Sequence, residues 1–229
     1  MSRENGIIIA VDGPSGAGKS TLSKLLSKRL GYLEIDTGAM YRAMAWLARN
    51  RCLDLLNQGA LADFCNNALV ELQLRNGNTL VFANGQDVTG EIRTPEISML
   101  TSKISALAPV RRAMIDLQRR MGARGGVILD GRDIGTVVFP DAELKFFLSA
   151  SAAERGRRRF LELQAKGEQV SLEETVKNII ERDQQDTERE LSPLKQAEDA
   201  ISIDSTDLSI DEMVNLMEEI FLKRISEGN

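Results

Sequence analysis

The chain has 229 residues, 42% of them hydrophobic and only 4% aromatic, with a formal net charge of −5 and no histidine. That supplies a sizeable, mostly aliphatic core for one large or two small domains. The acidic balance argues against nonspecific nucleic-acid binding or an anionic membrane surface. The missing imidazole excludes a histidine base, a Ser-His-Asp triad and histidine-bound zinc.

Cys52 and Cys65 form no metal-ligand pattern, so reduced, packed thiols are expected. No apolar run is long enough to span a bilayer, and the first residues lack a signal-peptide layout. The expectation is a cytoplasmic protein.

Ile7–Val11 is an apolar, largely β-branched run that leads into Gly13, Pro14, Ser15, Gly16, Ala17, Gly18, Lys19, Ser20 and Thr21. This is the P-loop pattern G-x-x-x-x-G-K-[ST]. Gly13, Gly16 and Gly18 allow backbone conformations that a side chain would forbid, so N–H groups can converge on an anion. A helix over about Lys19–Leu30 adds its own unsatisfied N–H groups and the positive end of its dipole. Lys19 is placed for the outer phosphates of a nucleoside triphosphate, and the Ser20 hydroxyl for Mg²⁺.

Gly31 closes that helix, and Tyr32–Ile35 reads as a short second strand. Asp36-Thr37-Gly38-Ala39 opens the next helix, which carries Arg42. Thr37 and Arg42 are either an ordinary helix start and an exposed charge, or ligand groups at the C-terminal end of a strand. Leu53–Leu69 looks helical.

From Val70 the period becomes two, with Leu72, Leu74, Leu80 and Phe82 separated by turns at Asn76-Gly77-Asn78 and Asn84-Gly85. That pattern predicts a small antiparallel insertion. Thr94 and Pro95 start a helix with the stripe Ile97, Leu100, Ile104 and Leu107, and Ser102 lies off that stripe. Pro109 starts another, with Val110, Met114, Leu117 and Met121 inward and Arg111 and Arg112 flanking them.

Gly126–Asp130 is a hydrophobic strand ending in a carboxylate, as in a Walker B group that holds Mg²⁺ through water. Arg132 and Asp133 follow at its mouth, where position favours ligand contact over a surface pair. Leu144–Leu148 is the fourth core strand.

Ser151 caps a helix on which Arg155, Arg158 and Arg159 share a face with no obvious acidic partners, an arrangement that favours an anion. A helix over Ser171–Leu191 has the stripe Leu172, Val176, Ile179 and Ile180, with Arg182, Asp186 and Arg189 lined up away from it. Ile201–Asp204 is a fifth strand, and Ser209 opens a last helix with Ile210, Val214, Met217 and Phe221 inward. Alternating strands and helices predict an α/β fold with a parallel sheet.

Gly13–Thr21, Asp36–Arg42, Gly90–Thr94, Asp130–Pro140, Glu181-Arg182-Asp183 and Asp204-Ser205-Thr206 together resemble the bacterial cytidylate kinases, over essentially the whole chain. The resemblance implies a single P-loop kinase domain with a five-stranded parallel sheet flanked by helices. Its core would be about residues 1–50, 125–153 and 192–229. A monophosphate-binding region would cover about 51–124, enlarged by the β insertion at Val70–Val88, and a helical lid about 154–191.

It further implies transfer of the γ-phosphoryl group of ATP to CMP or dCMP with Mg²⁺. Gly13–Thr21, Arg155, Arg158 and Arg159 would then meet ATP. Arg42, Arg132 and Arg189 would hold the CMP phosphate, Thr37, Arg111 and Asp133 would read cytosine, and Ser102, Arg182 and Asp186 would meet the sugar. Lys19, Arg132, Arg158 and Arg159 would be the catalytic charges, with Ser20 and Asp130 at Mg²⁺ through water. Thr37 stands where Ser is frequent in the family, and Ser20 where some members have Gly. A monomer is expected, acting on small molecules, with neither nucleic acid nor membrane as partner.

Overall fold

β1 (Ile8–Asp12) is five buried residues in a row, as a strand covered on both faces requires. α1 (Lys19–Leu30) runs from Gly18 to Gly31, followed by β2 (Leu33–Asp36). α2 (Thr37–Asn50) is capped by Asp36, whose carboxylate accepts the Ala39 N–H at 2.7 Å. The computed structural model describes residues 3–75, 78–165 and 167–228. It divides, within β2, into two compact units: Met1–Glu34 with Arg124–Asn229, and Ile35–Ala123.

In the Ile35–Ala123 unit, the helix expected over Leu53–Leu69 is shortened to α3 (Gln58–Asn67). Asp54 accepts the Leu56 N–H at 3.0 Å, and Asn57 caps α3 through the Ala60 N–H at 3.0 Å. Short polar side chains thus take the backbone donors before the helix begins. β3 (Val70–Arg75), β4 (Asn78–Ala83) and β5 (Gln86–Asp87) form the expected antiparallel sheet, in sequence order. Asn84 and Gly85 join β4 to β5 with φ of 49° and 82°, the sign a tight hairpin demands. Asn76 and Gly77 of the other expected turn lie outside the described residues.

A 3-10 turn (Glu91–Arg93) precedes α4 (Pro95–Ser105), which Thr94 caps and Pro95 opens. Ile97 and Ile104 of the expected stripe are buried. Leu100 and Leu107 are half-buried, and Thr101 occupies a buried position because its hydroxyl donates to the Ile97 carbonyl at 2.6 Å. In α5 (Ala108–Gly122) Val110 and Met114 are inward as expected, whereas Leu117 and Met121 are half-buried and Arg111 and Gln118 are buried. The inward face therefore runs through 111, 114 and 118. Trp46 on α2 is buried, and its indole N–H donates to Glu91 at 2.8 Å.

β6 (Val127–Gly131) leads into a π-turn (Ile134–Val138), then β7 (Leu144–Ser149), α6 (Ala152–Ala165) and α7 (Leu172–Glu188). β8 (Ile201–Asp204) and α8 (Ile210–Gly228) complete the chain. The five-stranded parallel sheet has the order β2-β6-β1-β7-β8, which sets β1 and its P-loop at the centre. Leu22 and Leu26 of α1 and Met213, Val214, Met217 and Phe221 of α8 pack on Val11, Ile128, Phe146 and Leu148. Ser209 and Glu212 cap α8 reciprocally.

Three expectations are corrected in this unit. α7 ends at Glu188, short of Leu191. Its buried positions are Thr175, Ile179 and Asp186, while Leu172 and Ile180 are exposed. A Cβ added to Gly156 of α6 would stand 2.2 Å from Val176 Cγ2, and this close approach of α6 selects the face of α7 turned inward. In α8, Ile210 is exposed and Met213 takes the buried place. In the Ile35–Ala123 unit, Cys52 is exposed and Cys65 half-buried, both as thiols, so neither is packed in the core as expected. No helix among the described residues is long and apolar enough to cross a membrane.

Candidate active site

The P-loop begins hard against β7. Gly13 has φ 146°, and a Cβ there would lie 2.0 Å from the Leu148 carbonyl oxygen, so the loop requires glycine at this point. The buried Lys19 ammonium donates to the Pro14 carbonyl at 2.6 Å. Burial, then the nearby Arg132 guanidinium, pushes it well below the ordinary lysine range, with the Asp130 and Asp12 carboxylates pulling the other way.

The Ser20 hydroxyl donates to Asp130 Oδ2 at 2.5 Å, and Asp130 lies opposite Val11 in the β1–β6 ladder. A hydroxyl and a carboxylate oxygen are the hard donors Mg²⁺ prefers. Among the described residues no group of three or more His, Cys, Asp or Glu could hold a metal. Two protein oxygens fit an ion that takes its other ligands from water and phosphate.

The inward face of α7 turns from apolar to charged along its length. Arg132 donates to Asp186 Oδ2 at 2.8 Å, and Arg189 donates to Asp186 Oδ1 at 3.4 Å. Arg189 Nη2 also stands 3.6 Å from Asp133 Oδ1. Burial alone would raise the Asp186 carboxyl, but Arg132, Arg182 and Arg189 together hold it below the usual carboxylate range. Arg182 donates to the Ser15 hydroxyl at 3.4 Å, and Asp183 accepts the Ser15 N–H at 3.4 Å. The structure thus brings Arg132, Asp133, Arg182, Asp186 and Arg189 together. Asp186 lies on the buried face of α7, with Arg182 half-buried and Arg189 following as the C-cap, so the three are not set away from the packed side as expected.

The arginines of α6 are not the unpartnered cluster expected. Arg158 bonds Glu154 at 2.9 Å and Arg159 bonds Glu162 at 2.7 Å, both carboxylates being one turn away on the same helix. Arg155 is buried and donates to the Ala150 and Ser15 carbonyls and, at 2.5 Å, to Asp183. Arg158 also donates to the Ser205 hydroxyl at 3.0 Å and the Ser205 carbonyl at 2.5 Å. The Ser205 hydroxyl in turn donates to Ala17 of the P-loop at 3.2 Å. Ser205, Glu154 and Asp183 are participants that carried no role in the sequence reading.

Asp12 is a further one. It is buried at the end of β1 and accepts the N–H groups of Ile134 at 2.9 Å and Gly135 at 2.7 Å. Burial drives its carboxyl up to about 6, with those two hydrogen bonds pulling the other way. An acidic residue closing an otherwise apolar central strand was the signal available in the sequence.

In the Ile35–Ala123 unit, Thr37 is buried at the start of α2. Arg42 donates to Asp36 Oδ2 at 3.1 Å, and Arg93 approaches the same oxygen at 3.7 Å. Asp36 is therefore both a helix cap and the anchor of two guanidinium groups. Ser102 is half-buried, and its carbonyl accepts the Ser105 hydroxyl at 3.1 Å. Arg111, expected to flank the buried face, lies within it. It donates to the Ser105 carbonyl at 3.0 Å and stands 5.6 Å over the Tyr41 ring, so a carbonyl at a helix end and an aromatic face replace water around the charge.

The sequence pattern of the family described as cytidylate kinase matches residues 9–223. The chain belongs to the cytidylate kinase family. It is 58% identical to a protein of Geobacter sp. (strain M21) named cytidylate kinase, over 99% of this chain and 97% of that one. A cytidylate kinase of Citrifermentans bemidjiense is also 58% identical, over 99% of this chain and 97% of its own. One from Geobacter sulfurreducens is 57% identical, over 96% and 94%. In this member of the cytidylate kinase family the matched span includes the P-loop, the Asp130–Pro140 segment, α6, α7 and β8.

Proposed function

We propose that the protein transfers the γ-phosphoryl group of ATP to CMP or dCMP, giving ADP and CDP or dCDP. One observation carries this reading. A P-loop whose Ser20 bonds the β6 carboxylate Asp130 shares a unit, and a sheet end, with the Arg132–Asp186–Arg189–Asp133 network. Groups suited to a donor polyphosphate and to an acceptor anion therefore lie at the C-terminal ends of adjacent strands, where open α/β sheets bind ligands.

Phosphoryl transfer asks for position and charge, with little covalent chemistry from the protein. The acceptor is a phosphate oxygen already ionised at neutral pH, so no base is needed and the lack of histidine is no obstacle. The P-loop N–H groups and Lys19 would hold the ATP phosphates. Ser20 and Asp130 would hold Mg²⁺, which when bound neutralises charge on the phosphoryl oxygens. Arg132, Arg158 and Arg159 would stabilise charge as the phosphoryl group moves, with Arg155 in the same α6 set.

For CMP we propose Arg42, Arg132 and Arg189 at the phosphate, Thr37, Arg111 and Asp133 at the base, and Ser102, Arg182 and Asp186 at the sugar. The region of about 154–191 would act as the lid that excludes water from the transfer. The reading places the enzyme in the cytoplasm, as a monomer acting on nucleotides.

The test is ADP formation measured across CMP, dCMP, UMP and AMP with ATP and Mg²⁺. Turnover of CMP and dCMP well above the others is expected. Equal rates with all four, or ATP hydrolysis independent of acceptor, would overturn the proposal.

A further inference from the structure

An aspartate that opens a helical turn ordinarily turns its own carboxylate back onto the first N–H groups. Asp133 opens the π-turn Ile134–Val138, with φ −143° and ψ 22°, and makes no such cap. The first two N–H groups of the turn, from Ile134 and Gly135, go instead to Asp12, 122 and 123 residues away in sequence. The Asp133 carboxylate faces the Arg189 guanidinium.

We propose that Asp12 is a positioning residue for the acceptor: by capping the π-turn in place of Asp133, it holds the Asp133 carboxylate out toward the nucleoside monophosphate. This rests on the reading of the protein as a CMP kinase. Asp12 itself touches no substrate in this account.

The arrangement has a structural logic. Asp12 is the last residue of β1, in register with Gly131, and Gly13 of the P-loop follows at once. β1 is paired on both sides, by β6 and by β7, so the root of the P-loop is fixed by backbone hydrogen bonds. The Asp12 side chain is therefore available to fix something else. It fixes the segment that follows Arg132 and Asp133, and one carboxylate thereby registers the acceptor-reading pair against the donor loop. Gly135 packs closely here as well, since a Cβ on it would lie 3.0 Å from Lys145 Cδ and 3.4 Å from Asp12 Oδ2.

Asp12→Asn keeps the shape of the side chain but offers an NH₂ to one of two N–H donors. The Asp133 carboxylate, at the start of the turn, then competes for the freed N–H group and turns away from Arg189. The expected result is a KM for CMP raised by about ten-fold or more, the size of one lost charge-assisted hydrogen bond, with the KM for ATP unchanged. Hydrogen-exchange protection of the Ile134 and Gly135 amides should fall together with it.

Gly135→Ala displaces the same turn from the other side and should produce the same CMP-selective rise. It serves as the second variant if Asp12→Asn folds poorly. A purely structural Asp12 would lower the melting temperature and leave the KM for CMP alone. That result, or equal changes in the KM for CMP and for ATP, overturns the inference. If the unmodified protein does not phosphorylate CMP, the kinase reading falls and the inference with it. If the unmodified protein is active but the CMP-selective rise is missing, the inference alone falls.

Discussion

The Ser20 hydroxyl donates to the Asp130 carboxylate across 2.5 Å, tying the first turn of α1 to the end of β6. A hydroxyl oxygen and a carboxylate oxygen held this close mark a place where a small divalent cation can be held, the hydroxyl keeping its proton and turning it away. Ser20→Ala removes one of these oxygens and leaves the other misoriented. The Mg²⁺ concentration for half-maximal rate should rise by roughly ten-fold or more. Initial rates across a Mg²⁺ titration check this, and an unmoved midpoint removes Ser20 from the cation site.

Lys19→Met deletes the charge aimed at the outer phosphates. Its Nζ bonds one carbonyl of its own loop, so the fold should survive the change. A loss of about 10²-fold or more in kcat is expected, with an unchanged circular-dichroism spectrum. Near-normal turnover of CMP would eliminate Lys19 as a catalytic group.

Asp133→Ala tests cytosine reading directly. A carboxylate accepts from the cytosine amino group and repels the uracil carbonyl. The barrier with CMP should rise by roughly 1–3 kcal/mol, with UMP much less affected. Measured kcat/KM for both substrates decides it: a preserved CMP:UMP ratio leaves Asp133 with an orienting role only.

Arg155 serves three acceptors from a buried position, so its removal should register in stability. Arg155→Ala leaves Asp183 and two carbonyls short of a donor, at a cost of roughly 3 kcal/mol. For a chain of this size that lowers the melting temperature by about 6–12 °C. Thermal melts without nucleotide check it. An unchanged melting temperature would remove the structural role and leave Arg155 with its donor-site role alone.

The Glu154 carboxyl is held down to about 2 by its hydrogen bond from Arg157, aided by Arg158. A carboxyl lowered from 4.5 contributes stability that is fully present above about 4.5 and is lost as the pH falls toward about 2. Glu154→Gln should therefore melt below the parent at pH 7, by a gap that has narrowed at pH 3 and closes only toward pH 2. The gap should be small and should shrink in salt, since these are surface pairs. Equal gaps at both pH values would contradict the assignment.

Local pattern carried the P-loop, the order of strands and helices, and the Thr94-Pro95 and Ser209 helix starts. These follow from short-range chemistry that any few residues express by themselves. The misread residues depend on neighbours remote in sequence. Arg111 is buried because Tyr41 and the Ser105 carbonyl await it, and the face of α7 was chosen by the absence of a side chain at Gly156. Asp12 gained its meaning from two N–H groups more than a hundred residues away. The acidic partners of Arg158 and Arg159 stand at i−4 and i+3 on the same helix, close enough in sequence for spacing alone to predict them.

Trp46 is the sole tryptophan of the chain, and it is buried with its indole N–H on Glu91. Intrinsic fluorescence excited at the indole band is therefore a private signal of the Ile35–Ala123 unit. Emission and far-ultraviolet ellipticity followed through one denaturant titration would show whether that unit melts in step with the whole. A nucleotide that perturbs the emission would be detected with no dye attached.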